Sequence, residues 1–84
     1  MKTITYICRE PEGLHARPAG MLNKAAKPFA CSITMAKGAK TADIKRLLGL
    51  MSLAVKCGDE VTVTFDGPDE DDAMNAVEMV LKTL

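Results

Sequence analysis

The 84-residue chain has one histidine, three cysteines and no surplus of charge of either sign, and each scarcity removes a class of function. Eleven basic and eleven acidic side chains cancel, so no general field for nucleic acid or for a membrane surface is expected. Cys8, Cys31 and Cys57 are an odd set without a C-x-x-C pair. They give neither a disulfide framework nor a zinc knuckle and fit reduced thiols in a cytosol. No apolar run approaches the ~20 residues of a membrane span, and Met1 to Tyr6 pass straight into strand-like alternation where a secretory leader would carry a long apolar stretch. A cytoplasmic protein, neither exported nor inserted in a membrane, is expected. With 48 % apolar and 26 % charged residues the composition is that of a soluble globular protein, and the length suffices for one core but not two. A single domain over residues 1–84 is therefore expected.

What is present is a change of hydrophobic period along the chain. Thr3 to Cys8 is rich in β-branched and aromatic residues, with Ile4, Tyr6 and Cys8 on one face, and reads as a strand ended by Pro11-Glu12-Gly13. From Pro18, the residues Ala19, Leu22, Ala25, Ala26 and Phe29 recur at helical spacing until Pro28 stops the helix. Ser32 to Met35 alternates again, and Lys37-Gly38-Ala39-Lys40 offers a turn into a short strand at Thr41-Ala42. Leu47 to Leu53 reads as a short helix ended by Cys57-Gly58, and Glu60 to Phe65 as a strand. After Asp66-Gly67-Pro68 a last helix is expected, capped by Asp69, with Glu70, Asp71 and Asp72 complementing its positive end. Ala73, Ala76, Val77, Val80, Leu81 and Leu84 form its buried stripe. The order βαββαβα fits a small α+β domain, an antiparallel sheet with helices packed on one face.

The histidine, His15, stands in Gly13-Leu14-His15-Ala16-Arg17-Pro18-Ala19, between a strand exit and a helix start. A helix N-terminus offers unpaired N–H groups and about half a positive charge, which welcome a phosphate. A neutral imidazole has a ring nitrogen able to attack phosphorus, and Arg17 adds a permanent planar cation for phosphoryl oxygens. Pro18 suits a first helical turn, and Gly13 permits a tight turn before the histidine. A lone histidine at a helix start is also commonly a surface or capping residue, and spacing alone leaves both readings open. No second histidine, paired carboxylates or nucleophile with an adjacent base appears elsewhere, so any chemistry at His15 needs another protein to complete it.

The seven residues from Gly13 to Ala19 resemble the active-site signature of the histidine-containing phosphocarrier family, HPr. The segment Leu48-Gly49-Leu50-Met51-Ser52-Leu53, the strand from Glu60 to Phe65, the Asp66-Gly67 turn and the acidic start of the last helix resemble the family in order and spacing. The resemblance implies an open-faced β-sandwich, a four-stranded antiparallel sheet covered on one face by three helices. It also implies the reaction. His15 would take a phosphoryl group through Nδ1 from phosphoenolpyruvate-charged Enzyme I and pass it to the IIA domain of a sugar permease, with Arg17 assisting and neither cofactor nor metal required.

Leu47 to Leu53 holds more apolar residues than one helical face can bury. If Leu47, Leu50 and Leu53 point inward, Leu48 and Met51 face water, as a docking site would. The resemblance implies that Enzyme I, IIA domains and regulatory proteins dock on the His15 region and on this helix, including Leu47, Leu48, Met51 and Ser52. Gly20, Lys24 and Lys27 border the same surface, although lysines there are also common on a merely solvated face. The cysteines read as packing residues at Cys8 and Cys31, and the acidic run from Asp69 to Asp72 lacks the spacing of a calcium loop.

Many family members carry, at the start of the second helix, a serine that a dedicated kinase phosphorylates. Arg46 stands there in this chain, which predicts loss of that regulation. Either Asp43 begins the helix a turn early or the end lacks a good cap. A second function, an adaptor for a transcription factor or metabolic enzyme with His15 phosphorylation setting its affinity, competes with the relay. The presence of both His15 and Arg17 favours the relay. A monomer is expected, and Met1 with a helix reaching the chain end disfavours a fragment of a larger phosphotransferase.

Overall fold

The computed structural model describes all 84 residues. Seven elements run in the expected order: β1 Lys2–Ile7, α1 Ala16–Ala26, β2 Ser32–Lys37, β3 Lys40–Asp43, α2 Leu47–Ser52, β4 Glu60–Asp66 and α3 Glu70–Thr83. The strands form one antiparallel sheet in the order β1-β4-β2-β3, with the helices packed on one face. Alternation dictates this division. Ile4, Tyr6, Val61, Val63, Phe65, Ile33 and Met35 point to the helices, while the opposite face carries cross-strand threonines such as Thr3 against Thr64 and Thr5 against Thr62.

Leu22 and Ala26 of α1 and Ala73, Val77 and Leu81 of α3 close over these strands in a continuous core, in which Phe65 and Val63 are fully buried. Truncating a buried phenylalanine to alanine typically costs about 3–5 kcal/mol. Exposed ion pairs are worth about 0–1 kcal/mol each, so the interface between sheet and helices, not the surface charge, maintains the fold. Cys8 and Cys31 pack in this core, and burial pushes both thiols up, whereas Cys57 is exposed.

The structure departs from the sequence reading in several places, among them the end of α2 at Ser52, well before Cys57-Gly58, and the stripe of α3, where Ala76, Val80 and Leu84 are only half-buried. Helix α1 begins at Ala16, two residues before Pro18, because first-turn N–H groups need no helical partner and proline lacks only that group. Asp69 occupies the N-cap of α3 without a side-chain cap. Its carboxylate instead reaches back across the sheet end to accept the N–H groups of Ala30 (2.8 Å) and Cys31 (2.9 Å), while Glu70 accepts that of Gly67. Leu47 does not point inward: it is 38 % exposed, while Leu50 and Leu53 are buried. A helical side chain lies over the turn N-terminal to itself, and at the first helical residue no such turn exists. Of the two alternatives for α2, the second holds. Arg46 is its N-cap with no side-chain cap, and Asp43 stays at the end of β3, accepting the Lys45 N–H at 2.9 Å.

Candidate functional site

The turn before α1 is built around Gly13. Its N–H donates to the Glu10 carbonyl (2.9 Å), its φ is +74°, and a Cβ there would overlap the Val55 carbonyl oxygen. Only glycine combines a left-handed backbone with so close an approach. Leu14, buried, then donates its N–H to the same Val55 oxygen at 2.9 Å. The loop that presents His15 is thereby fastened to the segment that follows α2.

His15 is the N-cap of α1 in extended conformation, and its ring makes no cap hydrogen bond. Its carbonyl accepts the Ala19 N–H (3.0 Å), and its own N–H donates to the Gly13 carbonyl (2.9 Å). Pro18 has no N–H, and those of Ala16 and Arg17 donate to no backbone carbonyl. Two donors at the positive end of an 11-residue helix are thus left beside an imidazole that is 37 % exposed. The Glu12 carboxylate lies 3.9 Å from Nε2 of His15, so Nδ1 is the ring nitrogen that does not face this acid.

Arg17 extends into solvent from the first turn. One guanidinium nitrogen, Nη2, lies 3.3 Å from the Glu10 carboxylate, and the other, Nη1, lies 3.9 Å from the Met21 sulfur. The clefts of the molecule lie elsewhere, between β1 and α3 along Ile4, Thr5, Tyr6, Arg9 and Leu81. His15 therefore lines neither cleft, an arrangement that suits a second protein better than a small molecule.

Beside it, α1 and α2 pack together, seated by the buried Asn23, whose side-chain amide donates to the Ile44 carbonyl (3.0 Å). Leu48 is 81 % exposed, Met51 36 % and Met21 of α1 37 %. With the half-exposed Leu47 they are the large apolar side chains that these two helices expose. Ser52 is exposed, its hydroxyl donating to the Gly49 carbonyl (2.6 Å). Gly20 is half-buried with open space where a Cβ would go. Lys24 and Lys27 are exposed and join no ion pair.

Sequence reasoning missed Glu10, Glu12, Met21 and Asn23. A signal for the first existed, because the Pro11-Glu12-Gly13 turn must fold the chain back on itself and return Glu10 toward the helix start. It also missed Lys37. From β2 its ammonium donates to the carbonyls of Ala54 (2.7 Å) and Leu53 (3.3 Å) and pairs with Asp59 (3.0 Å). The Lys56 N–H and this lysine hold the Asp59 carboxyl below the usual carboxylate range. Ala54 needs such support, since it is the one residue other than glycine with positive φ (+53°).

Residues 2–83 match the model of a family described as the PTS HPr component phosphorylation site. The phosphocarrier protein HPr of Lysinibacillus sphaericus is 42 % identical over 81 residues, 96 % of this chain and 92 % of that protein. The solved structure of a mycoplasma histidine-containing phosphocarrier protein superposes with a TM-score of 0.95 at 34 % identity, over 98 % of this chain and 93 % of that one. The Bacillus subtilis catabolite-repression protein Crh, solved as a dimer with a swapped segment, gives a TM-score of 0.77 at 34 % identity, over 99 % and 95 %.

Proposed function

Because this chain belongs to the histidine-containing phosphocarrier family, HPr, we propose that it accepts a phosphoryl group on His15 from phosphoenolpyruvate-charged Enzyme I and donates it to IIA domains of sugar permeases. The observation that carries this reading is that the first turn of α1 carries a partly exposed imidazole, two free N–H groups and, two residues from the histidine, Arg17. The Nδ1 lone pair forms the N–P bond, and the bond from phosphorus to the donor breaks with its electron pair returning to the donor. Delivery to the acceptor is the same displacement in reverse. The Ala16 and Arg17 N–H groups and the guanidinium supply donors for phosphoryl oxygens, and charge-assisted bonds of this kind are the strong ones.

Partners dock over Leu47, Leu48, Met51 and Ser52, extended by Met21 and bordered by Gly20, Lys24 and Lys27. Flexible, polarizable methionines let one surface fit several partners, and uncompensated lysines draw in acidic ones. The protein works in the cytoplasm, where these partners present their sites, and no helix is long and apolar enough to cross a membrane. Action as a monomer is part of the same proposal.

The test is to mix the protein with phosphoenolpyruvate and Enzyme I. An acid-labile, base-stable phosphate should appear and should be absent from His15→Ala. Failure of every cognate Enzyme I to load the unchanged protein would reject the relay.

A further inference from the structure

Glu10 stands out because a relay does not need it. Its backbone carbonyl closes the Gly13 turn, and its side chain is only 14 % exposed, so its carboxylate is held in place, whereas the Arg17 side chain it contacts is 66 % exposed. The contact is a single N–O approach of 3.3 Å, with the other terminal nitrogen against the Met21 sulfur. This geometry is a weak, one-point grip by a fixed acid on a movable cation. A second acid of the same turn, Glu12, faces the Nε2 side of His15. Of the two acids in this turn, one thus engages Arg17 and the other lies near the imidazole.

We propose that Glu10 is a positioning residue that holds Arg17 in the unphosphorylated protein and gives it up to the phosphoryl group on His15, so that each round of loading and delivery exchanges one partner of Arg17 for the other. The proposal rests on the relay reading for its use, though not for its geometry. A phosphoryl group carries about −1.5 to −2 charges and three acceptor oxygens, against one charge on a carboxylate, so the guanidinium favours the phosphoryl group when both are present. The released Glu10 then faces a like charge. Both effects raise the free energy of the loaded state relative to the unloaded one, and the group leaves more readily for the next carrier.

The exchange can be read without any partner protein. Phosphoramidate loads imidazoles directly: the His15 N–P bond forms, the donor's P–N bond breaks, and its nitrogen leaves as ammonia with the electron pair. In the unloaded chain, Glu10→Gln should displace the Arg17 Nε–Hε nuclear magnetic resonance signal. Loading should displace it in the unchanged protein as well, to a position that the loaded Glu10→Gln shares. An unmoved signal in unloaded Glu10→Gln, or a difference between the two proteins that survives loading, overturns the exchange.

With Enzyme I at a fixed ratio of phosphoenolpyruvate to pyruvate, Glu10→Gln should raise the ratio of loaded to unloaded protein about 1.5- to 5-fold, the range of an exposed ion pair. In an Arg17→Ala background most of that gain should vanish. An equal gain in both backgrounds would mean direct repulsion alone and would also overturn the proposal. If phosphoramidate produces the exchange while no Enzyme I loads the chain, the pairing role stands and the relay falls.

Discussion

Replacing Gly13 by alanine tests how the histidine turn is held. The left-handed backbone costs an L-residue about 1–2 kcal/mol, and the new methyl would overlap the Val55 carbonyl oxygen and lie 3.0 Å from the Lys56 Cα. The turn must then withdraw, which breaks the 2.9 Å bond from Leu14 to Val55, worth about 0.5–1.5 kcal/mol. The two contributions come to about 1.5–3.5 kcal/mol, a large share of the roughly 4–13 kcal/mol expected for a chain of this length, and correspond to a fall in Tm of about 9–20 °C. Gly38 supplies the control. Its φ is +59°, yet nothing lies within 4 Å of where its Cβ would be, so Gly38→Ala carries only the backbone cost of about 1–2 kcal/mol. Urea unfolding followed by far-ultraviolet circular dichroism measures both. If Gly13→Ala costs no more than Gly38→Ala, the close approach to Val55 does not constrain the turn.

Three further outcomes follow from other parts of the molecule. Leu48→Asp should lower the rate of phosphoryl transfer at limiting partner concentration by about tenfold or more, the effect of a lost interface anchor, while the urea midpoint stays unchanged; an unaltered rate would remove Leu48 from the docking surface. The Ala30 N–H, and after it Cys31, hold the Asp69 carboxyl below its ordinary value. Its contribution to stability is therefore present above the usual carboxylate range and lost as pH falls through the lowered value. Acid titration of stability should be shallower for Asp69→Asn, and identical curves would contradict the assignment. Incubation with a serine-directed HPr kinase and ATP should leave the chain unmodified, because Arg46 offers no hydroxyl at the N-cap of α2; stoichiometric serine phosphate detected by mass spectrometry would refute this.

Much of the fold was legible because the sheet has one buried face, which imposes strict alternation on Thr3 to Cys8 and on Glu60 to Phe65, and because α1 and α3 bury one stripe each. The His15 turn was legible for a local reason: glycine, histidine, arginine and proline act within seven residues. Contacts set by the way distant segments meet were not legible. Asp69 reads as an ordinary helix cap until the lead into β2 brings Ala30 and Cys31 against it, 39 and 38 residues earlier in the chain. Lys37 reads as a turn residue until the loop after α2 arrives beneath its ammonium. Glu10 differs from these, since it is only seven residues from Arg17 and the Pro11-Glu12-Gly13 turn between them was the signal for it. Leu47 was misplaced because helical periodicity assumes a preceding turn.

The Val55 carbonyl, which receives the Leu14 N–H, lies two residues beyond Leu53, the C-cap of α2, and Lys37 fixes the carbonyls of Leu53 and Ala54 just before it. The apolar patch and the histidine are thus two points on one stiff frame. A partner that seats itself on the patch need not search for the imidazole, because its height and bearing relative to the patch were settled when the chain folded. Under the proposed docking, partners with unrelated architectures would need to share only one spacing, from an apolar socket to a phosphorylatable side chain.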